Sequence, residues 1–341
     1  MKILSVVIPS YNSEAFLDKC IGSFVATDVL DKLDIIIVND GSTDNTPAIA
    51  DKYASLYPDS ICVIHQDNKG HGGAVNAGCR VAKGKYLKVV DADDTVLSDN
   101  ISAFLTTLET IEVNVVLTHY ITTDITNGCI QKWMCYPNEF GNACCLEDVI
   151  DNWNDFARCF TLHGITYNTS FYKDINYALS EKVFYEDHEL STFPACFASS
   201  ILPIDMFIYN YRVGDISQSV SDKNRLARMK DMQKVLYRFV SEFKALNDAQ
   251  VKEFVALKAK TLLVSYLTTA LLVERTKKRG RACAKEIMNY MKDNFPRAYQ
   301  LSSKQYKVFC FLNFFGIKKK TLDRILTSKI YLKLKGTHDF D

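Results

Sequence analysis

The ten residues from Lys85 to Asp94, KYLKVVDADD, decide how the first part of the chain is interpreted. An apolar run there ends in three carboxylates, those of Asp91, Asp93 and Asp94, within four residues. A run that is apolar on both faces is typical of a strand buried in a parallel sheet. So much negative charge at the end of such a strand predicts a positively charged partner, because unpaired buried charge is costly.

Three earlier segments have the same form, a buried strand followed by a polar loop and a helix. Residues 3–8 read ILSVVI, residues 34–38 read DIIIV and residues 61–65 read ICVIH. Strands that alternate with helices in this way predict an α/β fold, with a parallel sheet covered by helices on both faces. Ligands of such sheets bind beyond the carboxyl ends of the strands. The loops PSYNSE, NDGSTD and DADD begin there, so we expect the active site at that edge.

Composition and cysteine pattern narrow the class of protein. The 341 residues are 48% hydrophobic and 24% charged, which predicts a folded chain of one large domain and an accessory region. The eleven cysteines are odd in number and form no CxxC pair, which matches neither a disulfide framework nor a zinc site.

The apolar stretch at the start of the sequence is too short for a signal peptide, so we expect a cytoplasmic protein. Residues 261–273 are too few to span a membrane and predict a buried helix.

Strand signals continue to about residue 220 and then give way to helical periodicity. We therefore predict a first domain at residues 1–221 and a helical, basic accessory region at residues 222–341. Residues 275–341 hold 17 Lys or Arg against 5 Asp or Glu. Basic residues interleaved with aromatic ones suit peripheral docking on the inner face of the cytoplasmic membrane. Packing on the first domain and oligomerisation are alternatives, and nucleic-acid binding is not expected because no recognised motif accompanies the charge.

The strand ends carry groups that suit a nucleotide. Asp91 and Asp93 can direct oxygens at one Mg²⁺ or Mn²⁺ ion, although such a stretch can also cap a helix and solvate a turn. Asp40, at the end of a different strand, can accept hydrogen bonds from a nucleobase or ribose. The glycines of NKGHGGAVNAG precede a helix whose positive end favours phosphate. Together these features predict a nucleotide-diphosphate site.

These segments, taken in order, resemble a known family. VVIPSYNSEAFLDKCIGSF, IIIVNDGSTDNT, NKGHGGAVNAG and GKYLKVVDADD are similar to the motifs of family 2 glycosyltransferases of the GT-A fold. The resemblance is strong over residues 3–100 and weaker to about residue 220. It implies a Rossmann-like, mostly parallel central sheet with helices on both faces, followed by a helical C-terminal region.

The resemblance also implies a reaction. A metal-dependent enzyme of this family transfers a hexosyl or N-acetylhexosaminyl group from a nucleotide-diphosphate sugar, here with a UDP-sugar favoured, and inverts the anomeric centre. The acceptor would be a hydroxyl of a glycan or lipid-linked intermediate in surface polysaccharide biosynthesis of the capsule, cell-wall or lipopolysaccharide type. The implied cofactor is Mg²⁺ or Mn²⁺.

Site residues carry over by position in the matched motifs. The implied metal ligands are Asp93, the more direct one, and Asp91. The family often has an arginine where this chain has Val75, and Lys69 or His71 is the expected replacement. The implied nucleotide-sugar contacts are Pro9, Tyr11, Asp40, Asn68, Lys69, Asn76, Asp91 and Ala92.

The segment FYEDHEL, residues 184–190, resembles the part of the family that supplies the general base. Asp187 is the first candidate and Glu186 the second, since in-line attack needs a carboxylate opposite the leaving diphosphate. The alternative is that this segment is an exposed helix start whose acidic first turn complements the dipole. Weaker candidates for phosphate or acceptor contact are Arg212, Ser217 and Ser219. His163 is expected to be structural or, less often, functional.

Two other functions compete with this interpretation. A nucleotidyltransferase would carry a glycine-rich, basic loop after the first strand, and PSYNSE has neither feature. A catalytically silent module that binds sugar nucleotide, or acts as a scaffold in a polysaccharide-assembly complex, is the alternative from a different class. The acidic residues Asp40, Asp91, Asp93 and Asp187 favour an enzyme over that module.

Overall fold

The computed structural model describes residues 1–137, 139–215 and 221–326. Ser217, Ser219 and the end of the predicted basic region, residues 327–341, lie outside the described residues. The chain forms two compact units, Met1–Gln218 with Asp248–Val255, and Ser219–Asn247 with Ala256–Asp341. The described strands all belong to the first unit, and the described part of the second is helical. The domain boundary at residue 221 stays a prediction.

Nine strands in the described residues form one sheet. Its order is β3-β2-β1-β4-β8-β6-β9-β5, and β7 pairs with the outer part of β6. The strands are β1 (Leu4–Ser10), β2 (Leu33–Asp40), β3 (Ile61–Gln66), β4 (Tyr86–Val89), β5 (Thr95–Val96), β6 (Val115–Asp124), β7 (Ile130–Trp133), β8 (Ile165–Asn168) and β9 (Ile201–Val213).

Strand direction divides the sheet into two parts. The first four strands pair in parallel, and every residue of β1 and β2 is buried, as their unbroken apolar runs predict. The eighth strand is antiparallel to both β4 and β6, and β9 is parallel to β6. Six strands therefore run in one direction, which confirms the mostly parallel sheet, while β5, β7 and β8 run in the opposite one and make the sheet mixed.

Helices join these strands and form the second unit. In the first unit they are α1 (Leu17–Val25), α2 (Thr46–Leu56), α3 (Gly70–Val81), α4 (Ser98–Thr110), α5 (Leu146–Asp151), α6 (Trp153–Phe156), α7 (Thr169–Ile175) and α8 (Asp187–Leu190). They continue as α9 (Asp222–Ala227), α10 (Met229–Ala245), α11 (Ala249–Thr268), α12 (Lys277–Asn294), α13 (Pro296–Phe314) and α14 (Lys319–Leu326). The predicted helical C-terminal region is confirmed over the described residues.

Apolar burial explains the long helix in the middle of the second half. Ala249–Val273 is, among the described residues, the one helix long and apolar enough to cross a membrane. Most of its apolar window, 72%, is buried within the protein, as in the core helix of a folded domain. That burial matches the buried helix predicted for residues 261–273.

Close packing of α3 on the sheet depends on a residue without a side chain. A Cβ atom at Gly78 would lie 2.4 Å from Val7 Cγ1 and 3.2 Å from Val38 Cγ2. Both valines are fully buried, so neither can move away cheaply. Gly78 therefore lets α3 approach β1 and β2, and this approach holds the amino end of α3 near the strand ends.

We expect Gly78→Ala to lower the free energy of unfolding by about 1–3 kcal/mol, because the added methyl group overpacks this contact. The matched control is Gly22→Ala in α1, where a Cβ meets nothing within 4 Å. The control should stabilise the protein by up to about 1 kcal/mol, since alanine is the better helix former. Urea unfolding followed by circular dichroism measures both, and equal effects of the two substitutions would contradict the packing argument.

Candidate active site

Three carboxylates converge at the end of β4, as the sequence predicts. Asp91, Asp93 and Asp94 each place an oxygen within 4.8 Å of the others. A turn closed by the Asp94 N–H, which donates to the Asp91 carbonyl at 3.0 Å, holds them together, and Ala92 is buried inside it. Asp91 and Asp93 can present oxygens to one hard cation, which is the donor set that Mg²⁺ and Mn²⁺ prefer.

Asp94 has a structural role that the sequence did not indicate. It is almost fully buried and accepts hydrogen bonds from the Tyr209 hydroxyl at 2.6 Å and the Arg212 N–H at 2.7 Å. Burial, together with the charges of Asp93 and Asp91, raises the pKa of Asp94 well above its usual range. Asp94 therefore fixes β9 to the acidic turn and keeps its own negative charge low.

The expected positive partner is His71, in the first turn of α3. Its Nε2 lies 2.8 Å from Asp91 Oδ1 and its Nδ1 lies 2.6 Å from Glu186 Oε1. Burial opposes a charge on the ring, but the two carboxylates outweigh it and hold the pKa of His71 well above its usual range. The same imidazolium outweighs burial at Asp91 and lowers the pKa of that carboxyl. His71, one of the two expected arginine replacements, is therefore a cation between two acidic groups.

The segment that carries Glu186 and Asp187 lies tightly against α3. A Cβ atom at Gly72 would lie 2.3 Å from the Ser180 carbonyl oxygen and 2.9 Å from Glu186 Cγ. Tyr185, just before Glu186, has a φ of 75°, a left-handed conformation that is strained for a bulky residue. The close contact and the strained backbone direct Glu186 inward and start α8 at Asp187.

The two candidate bases differ in their surroundings. Glu186 is 3% exposed, burial raises its pKa, and its carboxylate is bound by His71. Asp187 is half-buried, and its charge acts on His163 and Tyr211, which line the same region as Asp91. The surroundings of Asp187 suit proton transfer better than those of Glu186, and its assignment as the base stays a prediction.

His163 lies in an aromatic cluster beside the acidic groups. Its ring stacks on Tyr211 at 4.3 Å between centroids and meets Tyr209 edge-on at 4.9 Å. Burial lowers the pKa of His163 to about 4, so the ring is neutral. The buried Nδ1 has no hydrogen-bond partner in the described part of the chain, while the carbonyl of His163 accepts from the buried ammonium of Lys88 at 2.8 Å.

Asp40 lies at the carboxyl end of β2, and only one of its two carboxylate oxygens has a hydrogen-bond partner among the described residues. Its Oδ1 accepts from Gln66 Nε2 at 2.6 Å and from the Lys69 N–H at 2.8 Å. Its Oδ2 is buried and has no hydrogen-bond partner among the described residues. An orphaned buried carboxylate oxygen is costly unless a ligand donates to it. This geometry fits the predicted contact with a nucleobase or ribose.

The other predicted nucleotide-sugar residues lie around Asp40. Pro9 is buried at the end of β1, and Tyr11 beyond it is 53% exposed. The Asn68 amide donates to the Asp40 carbonyl at 3.0 Å and accepts from the Gly70 N–H at 3.2 Å, so it shapes the loop. Lys69 extends an exposed side chain beside it.

Asn76 makes two hydrogen bonds within the protein. Its Nδ2 donates to the Leu179 carbonyl at 3.0 Å and its Oδ1 accepts from the Leu179 N–H at 3.0 Å. Both ends of the amide are therefore used to align the segment before Glu186. Asn76 thus positions that segment, and its contact with the nucleotide-sugar stays a prediction.

Arg212 also lies close to the acidic turn. Its guanidinium pairs with Asp215 at 3.0 Å and stacks over the Phe16 ring at 4.6 Å. The other two candidates from that loop, Ser217 and Ser219, lie outside the described residues. The role of Arg212 in phosphate or acceptor contact stays a prediction.

We expect His71→Gln to lower the free energy of unfolding by about 3–5 kcal/mol at pH 7 without added metal, because it leaves Glu186 and Asp91 without their cation. The control is His65→Gln, which removes a pair with Asp51 whose side chains are 47% and 59% exposed. Such a pair is worth less than about 1 kcal/mol. Chemical unfolding measures both, and a His71→Gln protein as stable as the control would show that the ring is not a structural cation.

Comparison with known proteins agrees with this site. Residues 5–159 match the family model described as glycosyl transferase family 2. The glycosyltransferase GlyG of Streptococcus pneumoniae is 32% identical over 149 residues, which cover 43% of this chain and 47% of GlyG. The minor teichoic acid biosynthesis protein GgaB of Bacillus subtilis is 36% identical over 93 residues, 27% of this chain and 10% of GgaB. The chain thus spans less than half the length of these relatives.

Solved structures of low identity share the fold. S. aureus TarS 1–349, in complex with UDP-GlcNAc, has a TM-score of 0.57 at 19% identity over 93% of each chain. The mannosyltransferase PcManGT of Pyrobaculum calidifontis, in complex with GDP-Man and Mn²⁺, has a TM-score of 0.54 at 15% identity over 96% of this chain and 87% of its own. The expected GT-A fold is confirmed. Residues 5–159 of this chain belong to glycosyl transferase family 2.

Proposed function

We propose that this protein transfers a sugar from a nucleotide-diphosphate sugar to an acceptor hydroxyl, with inversion at the anomeric carbon. One observation carries the proposal, the meeting of the acidic turn at Asp91–Asp94 with His71 and Asp187 at one end of the sheet. Asp40 ends β2, two strands from β4 across β1, so it lies on the order of 10 Å away at the same edge. That separation suits a ligand with a base at one end and a sugar at the other.

The nucleoside end of the donor binds at Asp40 in this proposal. The orphaned Oδ2 accepts a hydrogen bond from a base N–H or a ribose hydroxyl, which removes the cost of leaving it unpaired. The diphosphate lies toward the amino end of α3, where backbone N–H groups, Lys69 and His71 are positive. A UDP-sugar is the favoured donor, carrying a hexosyl or N-acetylhexosaminyl group, and the UDP-GlcNAc complex of TarS supports that class.

Asp93 and Asp91 would hold Mg²⁺ or Mn²⁺, since the acidic turn offers the oxygen ligands these ions prefer. When bound, the ion neutralises negative charge on the leaving diphosphate. The Mn²⁺ in the PcManGT complex supports an ion of this kind. Asp91 would share its carboxylate between the ion and His71.

Asp187 acts as the general base in this proposal and takes the proton of the acceptor hydroxyl as it attacks. Glu186 serves instead to hold His71, because its carboxylate is buried and already bound. The neutral His163 ring lies close enough to Asp187 for that charge to act on its pKa. Its unpartnered Nδ1 is available to accept a hydrogen bond from substrate. No covalent intermediate on the enzyme is needed.

The acceptor is a glycan or a lipid-linked intermediate of surface polysaccharide synthesis. The teichoic acid function in the name of GgaB supports this class of acceptor. The rival hypothesis, a catalytically silent module that binds sugar nucleotide, predicts binding without turnover. Turnover therefore separates the two.

With Mn²⁺ or Mg²⁺ present, we expect one donor from a panel of UDP-, GDP- and dTDP-sugars to release nucleoside diphosphate, as water replaces the acceptor. Asp187→Asn should slow that release by about 10²–10⁴-fold, because it removes the base. Asp93→Ala should abolish the response to added metal ion. A coupled nucleoside-diphosphate assay measures the rates.

Asp59→Asn, an exposed carboxylate between α2 and β3, is the control and should leave the rate unchanged. Binding of UDP by calorimetry is measured in parallel on all variants. Metal-dependent binding with no release from any donor, with membrane extract added as acceptor source, would support the silent module instead. Unchanged turnover in Asp187→Asn would remove the base assignment and keep the enzyme.

We also propose that this protein is a cytoplasmic enzyme that docks on the inner face of the cytoplasmic membrane, through a hydrophobic stripe at the end of α13. The stripe consists of Val308, Phe311, Phe314 and Phe315, which are 47% to 70% exposed in the described part of the chain. Lys304 lies four residues before Val308 and Lys307 four residues before Phe311, and both lysines are exposed as well. Aromatic side chains enter the interface and lysines pair with anionic headgroups, so an anionic lipid surface fits this stripe.

Replacing Phe311 and Phe314 together by Ser should weaken binding to phosphatidylglycerol vesicles at least about tenfold, since two aromatic rings no longer leave water. The matched control is Leu56→Ser, a 60% exposed apolar residue in α2. Vesicle flotation measures binding, and donor hydrolysis in solution should stay unchanged. Equal binding by the double variant and wild type, or equal binding to uncharged vesicles, would contradict the docking surface.

A further inference from the structure

A second cluster of ligand-type side chains lies in the first unit, apart from the acidic turn. It consists of His119 on β6, Cys135 after β7 and Cys159 after α6. All three are fully buried, and their Nδ1 and Sγ atoms lie within 4.8 Å of one another. Residue spacing did not indicate this cluster, because ligands 16 and 24 positions apart match no metal-binding motif.

The orientation of the His119 ring places its Nδ1 atom beside the two cysteine sulfurs. Its Nε2 lies 3.1 Å from Asp205 Oδ1, and its Nδ1 faces the Cys135 N–H at 3.4 Å. Because Asp205 accepts the proton of Nε2, Nδ1 is unprotonated. Its lone pair accepts the long contact from the Cys135 N–H, and both sulfurs lie within 4.0 Å of it. A carboxylate behind a histidine is the arrangement that orients metal-bound imidazoles and raises their basicity.

Distances in the cluster are close to those of a tetrahedral metal site. The two sulfurs lie 3.8 Å and 4.0 Å from His119 Nδ1. An ion about 2.3 Å from sulfur and about 2.0 Å from nitrogen, at tetrahedral angles, would place each sulfur about 3.5 Å from the nitrogen. Shifts of about 0.3–0.5 Å would therefore suffice, which side-chain rotations supply.

The two thiols lie close together. Their two sulfur atoms lie within 4.8 Å of each other. The phenyl rings of Phe140 and Phe207 pack on the imidazole at 5.5 Å and 5.0 Å and keep the surroundings apolar. Thiolate and imidazole ligands in a closed, apolar site are typical of structural zinc.

We propose that His119, Cys135 and Cys159 bind one Zn²⁺ ion as a structural site, separate from the acidic turn. A water molecule would complete the tetrahedron as the fourth ligand. The ion would join β6 to the segment after β7 and to the loop that leads into His163. The bound ion would thus stabilise the loop before His163, and with it the aromatic cluster of His163, Tyr209 and Tyr211. This role does not depend on which sugar the protein transfers.

Metal analysis of the purified full chain tests this proposal. We expect about one Zn²⁺ per chain by plasma mass spectrometry, and less than about a tenth of that in Cys135→Ser, Cys159→Ser and His119→Gln. Cys129→Ser, which removes an exposed cysteine of the same region, is the control and should keep its metal. In wild type, Co²⁺ in place of Zn²⁺ should give a thiolate charge-transfer band in the near ultraviolet.

A surface variant keeps the test independent of folding. Asp205 has a side chain that is 65% exposed, so Asp205→Asn should fold normally and weaken Zn²⁺ binding by about 10–100-fold in competition with a chelating dye. Wild type that holds no metal after Zn²⁺ loading and dialysis would overturn the proposal. So would an intact mass that shows a Cys135–Cys159 disulfide, because that bond removes both ligands.

Discussion

His71 lies between Asp91 and Glu186, with one ring nitrogen 2.8 Å and the other 2.6 Å from a carboxylate oxygen. These residues come from the start of α3, the end of β4 and the residue before α8, so the pair of contacts joins segments up to 115 positions apart. Glu186 is nearly fully buried, and an ionised carboxylate there needs a cation beside it. The placement of Asp187, the next residue, follows from this constraint. So does the requirement for Gly72, since a side chain there would push Glu186 away.

The three carboxylates of the acidic turn are tolerated because each has a different environment. Asp91 shares the charge of His71, whereas Asp94 is held by the Tyr209 hydroxyl and the Arg212 N–H. Burial and the charges of Asp93 and Asp91 raise the pKa of Asp94, whereas His71 lowers the pKa of Asp91. The positive partner that KYLKVVDADD required is therefore a histidine of the protein, and an ion at Asp93 and Asp91 would add to it.

Local patterns predicted the first half of the sheet, because β1 to β4 are unbroken apolar runs with polar loops at their ends. The same patterns brought Asp40, Asp91 and Asp93 to one edge. They could not show that Asn76 binds Leu179, 103 positions away, or that Asp94 binds Tyr209, 115 positions away. The strand order in the mixed half of the sheet could not be predicted either. The place of β8 between β4 and β6 depends on which strands pair and not on the composition of any one strand. His119, Cys135 and Cys159 meet for the same reason.

His71 and a divalent ion would both pair with the Asp91 carboxylate, and this affects how tightly the ion binds. Two positive charges on one carboxylate repel each other, by about 4 kcal/mol per unit charge at 4 Å and an effective dielectric of about 20. An ion there must therefore depend on Asp93, and its affinity will be lower than that of a turn without His71. In the proposed enzyme, a positive charge would nevertheless stay beside the diphosphate whether or not the ion is bound. His71 would then supply, from the start of α3, the charge that an arginine at Val75 would have placed one helical turn later.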